Sequence, residues 1–283
     1  MRRNSIVFVA LLLPFFMVTG QKSLLWEISG NGIKTSYLFG TIHMVCADDF
    51  AIDAKVMDAF NRSDKLVLEI DVSDPQIMQK MQSAAVNKNF RNFKNDLTET
   101  DRFFLDSCFK ADLKAGIDQL GILKPWTLMT FYSMSVSYDC PDRKQYETEL
   151  STLAKSQNKP IGQLETLEFQ LAIFDSIPMQ KQIDWLMETV REKNKNREIF
   201  ARMIAAYKDQ DVESLNQLTM EEEDMKELAP RLFFERNGNW IPVIGEMARE
   251  QPTFFAFGAG HLGGKDGVID LLKQKGYKVK AIK

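Results

Sequence analysis

The chain has few of the side chains that common catalytic motifs use, with two histidines and three cysteines among 283 residues. It contains no H-E-x-x-H, no C-x-x-C, no G-x-S-x-G and no G-x-x-x-x-G-K-[ST]. These absences exclude the helical zinc-peptidase motif, the serine nucleophile elbow and the phosphate-binding P-loop. A site that uses histidine must therefore be built from His43 and His261, which lie near opposite ends of the chain.

An excess of positive charge is also missing. The chain has 36 Lys and Arg residues against 39 Asp and Glu residues, which gives a net charge of −3. The two signs are well mixed and no long basic run occurs, so we expect no nucleic-acid partner.

Long apolar runs are absent except at the start of the chain. Residues 6–18 are apolar throughout, follow Arg2 and Arg3, and are followed by small residues up to Gly20. This layout predicts that residues 1–20 are a secretory signal peptide, with export to the periplasm or the medium. An uncleaved membrane anchor is the alternative. Residues 21–283 contain no run long enough for a transmembrane helix.

Export would allow a disulfide among Cys46, Cys108 and Cys140. Cys46 follows His43 by three residues, so we leave it free near the predicted site. Cys108–Cys140 is then the expected bridge, and three unpaired thiols are the alternative.

The pattern of apolar residues predicts an α/β fold for a single domain over residues 21–283. Strands cluster at the two ends of the chain, where they alternate with turns and with one C-terminal helix. Residues from about 75 to 235 are mostly helical in pattern, with one strand at 159–165. We therefore predict a mixed central β-sheet built from both chain ends and flanked by helices, with a large helical insertion in the middle.

Both histidines occur in the frame F-G-x-x-H, each at the end of a predicted strand. The frames contain Gly40 before His43, and Gly258 and Gly260 before His261. If these strands are neighbours, the two histidines converge where ligands bind in open α/β sheets. Glu69 also follows a predicted strand and could join them. Two imidazoles and a carboxylate suit a divalent transition metal.

These residues resemble the TraB/PrgY/GumN family, which includes the animal TIKI proteases. The two G-x-x-H motifs are the strongest match, and Glu69 in KLVLEID matches the glutamate of the strand that follows the first motif. GQLET, with Glu165, is similar to a central G-L-E-T-like element, apart from an extra Gln163. The family's R-N-x-x-W element is matched from Arg236 to Trp240.

The resemblance implies a metal-dependent hydrolase, most specifically a metalloprotease that uses manganese or cobalt, with zinc as a further choice. It implies that His43, His261 and Glu69 are metal-site residues and that Glu69 is a ligand or a general base. Arg236 would hold a carboxylate or stabilise an oxyanion, and Glu165 would belong to the catalytic set. The alternatives are that Glu69 is a strand-end residue paired with Arg236, and that Glu165 caps the helix that begins near Thr166. A peptide or protein substrate and a homodimer are also implied.

Two other function classes remain open from the sequence. Two histidines facing one cavity could ligate haem iron, which the kinship to ChaN-like haem-binding proteins favours. The chain could also bind a peptide without turnover, as the pheromone-shutdown branch of the family suggests.

Overall fold

The computed structural model describes residues 22–138, 140–221 and 223–283. The predicted signal peptide and its cleavage site lie outside these residues. Among the helices of this part of the chain, none combines the length and apolar character that crossing a bilayer requires.

A six-stranded mixed sheet forms the centre of the molecule. Its strands are β1 Leu25–Ser29, β2 Ser36–Thr41, β4 Lys65–Leu68, β6 Ile161–Gln163, β7 Thr253–Gly258 and β8 Lys278–Ala281. They lie in the order β6-β4-β7-β2-β1-β8. β4, β6, β7 and β2 run parallel, whereas β1 is antiparallel to both of its neighbours, β2 and β8. The predicted sheet from both chain ends is confirmed.

The central strands β2 and β7 are buried along their whole length, because helices cover both faces of the sheet. Parallel strands in this position are apolar without alternation, as FFAF in β7 illustrates. Phe254, Phe255 and Phe257 are completely buried, and Phe257 packs against the ring of Trp240 with centroids 5.4 Å apart.

Helices account for most of the remaining chain. Their bounds are α1 Ala54–Asn61, α2 Ile77–Ala85, α3 Glu99–Leu113, α4 Ile117–Leu120, α5 Pro125–Ser137, α6 Tyr146–Ser156, α7 Leu167–Asp175, α8 Met179–Arg191, α9 Lys193–Lys208, α10 Val212–Thr219, α11 Glu223–Ala229, α12 Glu235–Glu250 and α13 Val268–Gln274. One π-helical turn, Pro230–Phe234, leads into α12.

The helical insertion has a hydrophobic core of its own. α3, α4, α5 and α8 supply buried residues that form a cluster separate from the one around the sheet, including Phe109, Leu128, Tyr132 and Leu186. Not every apolar residue of the insertion is packed in this way, since Met78 on α2, Phe103 on α3 and Phe131 on α5 are exposed.

A second, two-stranded sheet joins β3, Met44–Cys46, to β5, Arg143–Gln145. A disulfide connects Cys46 to Cys140 beside this ribbon, with Cα atoms 5.8 Å apart. The predicted Cys108–Cys140 bridge is therefore wrong, and so is the free Cys46. Cys108 is a free thiol on α3, packed against the core of the insertion. The sequence did not reveal the pairing of β3 with β5, which brings Cys46 within reach of Cys140.

The disulfide closes a long loop, since its cysteines are 94 residues apart. We expect the double substitution Cys46→Ser with Cys140→Ser to lower the free energy of unfolding by roughly 2–4 kcal/mol, because the unfolded chain regains the entropy of that loop. Urea denaturation measures this change. Cys108→Ser is the control, with an expected loss of roughly 1 kcal/mol or less. Equal losses in the two proteins would contradict the assignment.

Candidate functional site

The carboxyl ends of four parallel strands place the predicted site residues at one edge of the main sheet. Thr41 at the end of β2 pairs with Gly258 at the end of β7. Glu69 follows β4, and its backbone carbonyl accepts a hydrogen bond from the Glu165 N–H at 3.0 Å. The two strands that precede the histidines are neighbours, which is the condition on which their convergence depended. The register also sets Glu69 and Glu165 side by side.

Arg236 lies between these two carboxylates and is buried with them. Its Nη2 donates to Glu69 Oε2 at 2.6 Å and contacts Glu165 Oε1 at 2.7 Å. Its Nε donates to Glu165 Oε1 at 2.9 Å, and Nη1 donates to the Leu232 carbonyl at 2.8 Å. Nη1 also lies 3.3 Å from His261 Nε2. Every N–H group of the guanidinium therefore has an acceptor.

Glu165 is held by more than Arg236. Its Oε2 accepts a hydrogen bond from Trp240 Nε1 at 3.0 Å, and the Arg236 guanidinium lies 5.0 Å from the Trp240 ring centroid. The cap of the following helix α7 is Thr166, whose side chain accepts from the Phe169 N–H. Glu165 therefore belongs to the buried charge network.

His261 is buried and enclosed by aromatic rings, with the centroids of Trp240 and Phe233 at 4.5 and 4.8 Å. Its Nδ1 lies 2.6 Å from Asn237 Oδ1, while Asn237 Nδ2 donates to the Asp266 carbonyl. The Asn237 oxygen must therefore be the acceptor, so His261 carries its proton on Nδ1. Its Nε2 is an unprotonated acceptor that faces Arg236.

The charge state of His261 follows from this setting. Burial lowers its pKa to about 3, against the opposing attraction of Glu69, and the positive charge of Arg236 acts in the same direction as burial. His261 is therefore neutral at neutral pH.

His43 has the opposite environment. Its side chain is 67% exposed, whereas His261 is buried. Its Nδ1 lies 3.0 Å from Glu147 Oε1, which also accepts a hydrogen bond from Thr41 Oγ1 at 2.7 Å. Burial acts to lower the pKa of His43, but the charge and hydrogen bond of Glu147 outweigh it and raise the pKa to about 9.

Glu69 is fixed through both of its carboxylate oxygens. Oε1 accepts from the Gly258 N–H at 2.7 Å, and Oε2 accepts from Arg236 and from Gln170 Nε2 at 3.0 Å. Burial acts to raise the pKa of Glu69, but the surrounding positive charges and the Gly258 N–H outweigh it and lower the pKa to about 2. Because His261 is neutral, Arg236 and His43 supply this positive charge at neutral pH.

The missing side chain of Gly258 leaves space between these groups. A Cβ atom at this position would lie 3.2 Å from His43 Nε2 and 3.3 Å from Glu69 Oε1. Both polar atoms therefore border the same small space. Gly40 has a different use, because a Cβ there would lie 2.5 Å from Leu262 Cδ1. A Cβ at Gly260 would meet Phe233 at 3.4 Å.

The structure brings His43, Glu69, Arg236 and His261 into one region. Glu165 joins this region through its contacts with Arg236 and Trp240. Within the described ranges, no group of three or more His, Cys, Asp or Glu side chains is already arranged to hold a metal ion. Nothing in the sequence singles out Glu147, because a glutamate in the first turn of a helix is unremarkable. Asn237 belongs to the R-N-x-x-W element, but its contact with His261 is not apparent from the sequence.

The central position of Arg236 leads to a prediction about stability. Arg236→Gln should lower the free energy of unfolding by roughly 3–5 kcal/mol, because it leaves two buried carboxylates without their cation. Urea denaturation tests this expectation. Arg202→Gln is the control, since Arg202 makes a two-point pair with Glu221 but its side chain is 57% exposed. We expect less than about 1 kcal/mol there. A loss at Arg236 no larger than at Arg202 would contradict the account.

The two histidines predict a stability maximum near their unfolded pKa of 6.5. Folded His261 stays neutral, so stability falls below pH 6.5 as only the unfolded chain binds that proton, by roughly 1 kcal/mol per pH unit. Folded His43 stays protonated, so its contribution is lost as the pH rises from 6.5 towards 9. His261→Gln should remove the acid-side decline and His43→Gln the alkaline-side decline.

Unfolding free energies between pH 5 and 9, measured with EDTA present, test these signs. An acid-side slope that persists in the His261→Gln protein would show that His261 is not held neutral.

The chain is similar to known proteins over most of its length. The family model described as "TraB/PrgY/gumN family" matches residues 24–281. The chain is 24% identical to "Metalloprotease TIKI1" of Danio rerio over 91% of its own length and 62% of that protein. It is 24% identical to "Metalloprotease TIKI2" of Danio rerio, over 91% and 60% of the two lengths.

A bacterial relative is matched over nearly its whole length. "Uncharacterized protein YbaP" of Shigella flexneri is 22% identical, over 87% of this chain and 91% of that protein. The chain thus spans less than two thirds of the TIKI relatives but most of the bacterial one. No solved structure gives a significant match. Since the family model covers almost all of the described residues, the chain belongs to the TraB/PrgY/gumN family.

Proposed function

We propose that the chain is an exported metal-dependent hydrolase that cleaves peptide bonds at the carboxyl edge of its main sheet. The observation that carries this proposal is the space beside Gly258, bordered by His43 Nε2 and Glu69 Oε1. The names of the TIKI metalloproteases support a peptide substrate and a divalent metal. The disulfide is consistent with export, since disulfides persist in oxidising compartments.

The donor groups fit a divalent cation. Each histidine has its Nδ1 beside an oxygen acceptor, Glu147 for His43 and Asn237 for His261. Partners of this kind orient metal-binding imidazoles and leave Nε2 to face the ion. His43 Nε2 and Glu69 Oε1 both lie beside Gly258. His261 could join them only if Arg236 moved from its Nε2. Two imidazoles and a carboxylate suit manganese, cobalt or zinc.

A cation bound there would supply Lewis acidity towards a scissile carbonyl and a bound water. Glu69 is proposed as a ligand more than as a general base, because a pKa of about 2 makes its carboxylate a weak proton acceptor. In the metal-free protein at neutral pH, His43 is protonated on both ring nitrogens. A metal ion that binds Nε2 must therefore displace the proton from that atom.

Arg236 is proposed as the residue that holds Glu69 and His261 in place. Because all of its donors are in use, it could bind a substrate carboxylate or an oxyanion only after releasing one of them. Glu165 would act through Arg236, without contact to substrate.

The haem alternative gains no support from this geometry. An axial haem ligand needs open space over its nitrogen, but His261 is buried among aromatic rings and its Nε2 faces a guanidinium. Peptide binding without turnover remains the competing outcome of the test below.

The test uses Gly258→Ala, which fills the space without removing any polar group. We expect the full chain, stripped with EDTA and equilibrated with Mn²⁺, Co²⁺ or Zn²⁺, to bind about one ion per molecule. Gly258→Ala should weaken metal binding by about tenfold or more, the usual effect of a change next to the ligands of a metal site. The added Cβ atom would lie 3.2 Å from His43 Nε2 and 3.3 Å from Glu69 Oε1. Mass spectrometry counts the ions, and cleavage of a peptide library measures activity.

Gly238→Ala is the matched control, since a Cβ there meets nothing within 4 Å. It should leave both metal binding and cleavage at parent values. Absence of a bound ion under every condition, or a Gly258→Ala protein that behaves like the parent, would contradict the metal site. Metal and peptide binding without cleavage would contradict the hydrolase and favour peptide sequestration.

A further inference from the structure

Glu147 lies behind His43 at the site, on a different segment of the chain. We propose that Glu147 is the positioning residue of His43, holding the imidazole so that Nε2 faces the space beside Gly258. This inference rests on the proposed function for its purpose, but its geometry can be tested separately.

The contacts of Glu147 fix both its own position and that of the imidazole. Its side chain is 13% exposed, and Oε1 lies within hydrogen-bond distance of both His43 Nδ1 and Thr41 Oγ1. An ionised carboxylate only accepts hydrogen bonds, so the proton of this pair lies on His43 Nδ1. The opposite nitrogen of the ring, Nε2, then lies beside Gly258, where a Cβ atom would be 3.2 Å from it.

The β3–β5 ribbon brings the two residues together from positions 104 apart in sequence. His43 immediately precedes β3, and Glu147 lies two residues after β5. Met44 pairs with Gln145, and the Tyr146 N–H donates to the His43 carbonyl at 3.2 Å. The disulfide at Cys46 fastens the same ribbon to Cys140. The backbones that carry His43 and Glu147 are therefore linked in register.

Tyr146 anchors the start of α6 in the main core. Its ring is buried, and its centroid lies 5.9 Å from that of Phe39 and 5.8 Å from that of Tyr207. Its hydroxyl donates to the Ala51 carbonyl at 3.0 Å. Since Glu147 is the next residue, it has little freedom to move away from His43.

A simpler role for Glu147 is to stabilise the N-terminus of α6 by its charge. Glu149 lies in the same first turn and could stabilise the helix equally well. Unlike Glu147, it faces Lys144 at 3.5 Å, and its side chain is 38% exposed. Glu149→Gln is therefore the matched control for Glu147→Gln. Each removes one negative charge from the same helix turn.

Because the chain has only two histidines, NMR of the imidazole N–H groups reports on the His43 hydrogen bond directly. In the metal-free full chain, the His43 Hδ1 resonance should be shifted downfield by its carboxylate acceptor. Glu147→Gln should remove that shift and leave the His261 signals in place, which also shows that the variant is folded. Glu149→Gln should change neither histidine. An unchanged His43 resonance in the Glu147→Gln protein would overturn the proposal.

Cobalt binding gives the second readout. We expect Glu147→Gln to weaken Co²⁺ affinity by about 10–100-fold, the usual effect of removing the outer partner of a metal-binding histidine. Glu147→Asp keeps the charge but shortens the side chain, so its affinity should lie between parent and Glu147→Gln. Parent-like affinity in Glu147→Asp would mean that charge alone suffices and would contradict positioning.

The two readouts separate this inference from the proposed function. If Co²⁺ fails to bind the parent chain but the His43 resonance responds to Glu147→Gln, the metal-dependent function fails and the positioning stands. If Co²⁺ binds the parent and the Glu147→Gln protein equally, with the resonance unchanged, only the positioning fails.

Discussion

The site depends on the buried ion pairs that Arg236 forms with Glu69 and Glu165. The register of β4 with β6 places Glu69 and Glu165 on adjacent backbones, where two buried carboxylates would repel each other. Arg236 compensates both charges and also contacts His261. Removing a buried cation of this kind leaves uncompensated charge in a region of low dielectric, which costs far more than the loss of a surface pair. The same contacts fix one oxygen of Glu69, and the other oxygen accepts a hydrogen bond from the Gly258 N–H.

The two histidines occur in similar sequence frames but have opposite environments. His261 is enclosed, neutral and fixed as one tautomer by Asn237, while His43 is exposed and held by a carboxylate. Glycine at the ends of β2 and β7 has two uses: Gly40 allows close packing of Leu262, and Gly258 leaves space between polar groups. The shared motif thus occurs once with a buried, neutral histidine and once with an exposed histidine.

Much of this arrangement could be predicted from the sequence, because it depends on local pattern. Apolar runs ending in glycine predict parallel strands, and such strands deliver His43, Glu69 and His261 to one edge of the sheet. The disulfide and Glu147 could not be predicted in this way. Both depend on the three-residue strands β3 and β5, which are too short to leave a periodic signal and pair across almost 100 residues. The complete use of the Arg236 donors likewise depends on tertiary contacts with the carboxylates, the Leu232 carbonyl and His261.

The most direct test of the account is the position of a bound ion. We would grow crystals of the full chain with Mn²⁺ and locate the metal by anomalous scattering. The account predicts a single strong peak beside the Gly258 Cα, about 2.0–2.2 Å from His43 Nε2 and from a Glu69 oxygen, as usual for nitrogen and carboxylate ligands of such metals. A peak at any other place in the chain, or none at this edge of the sheet at saturating Mn²⁺, would contradict it.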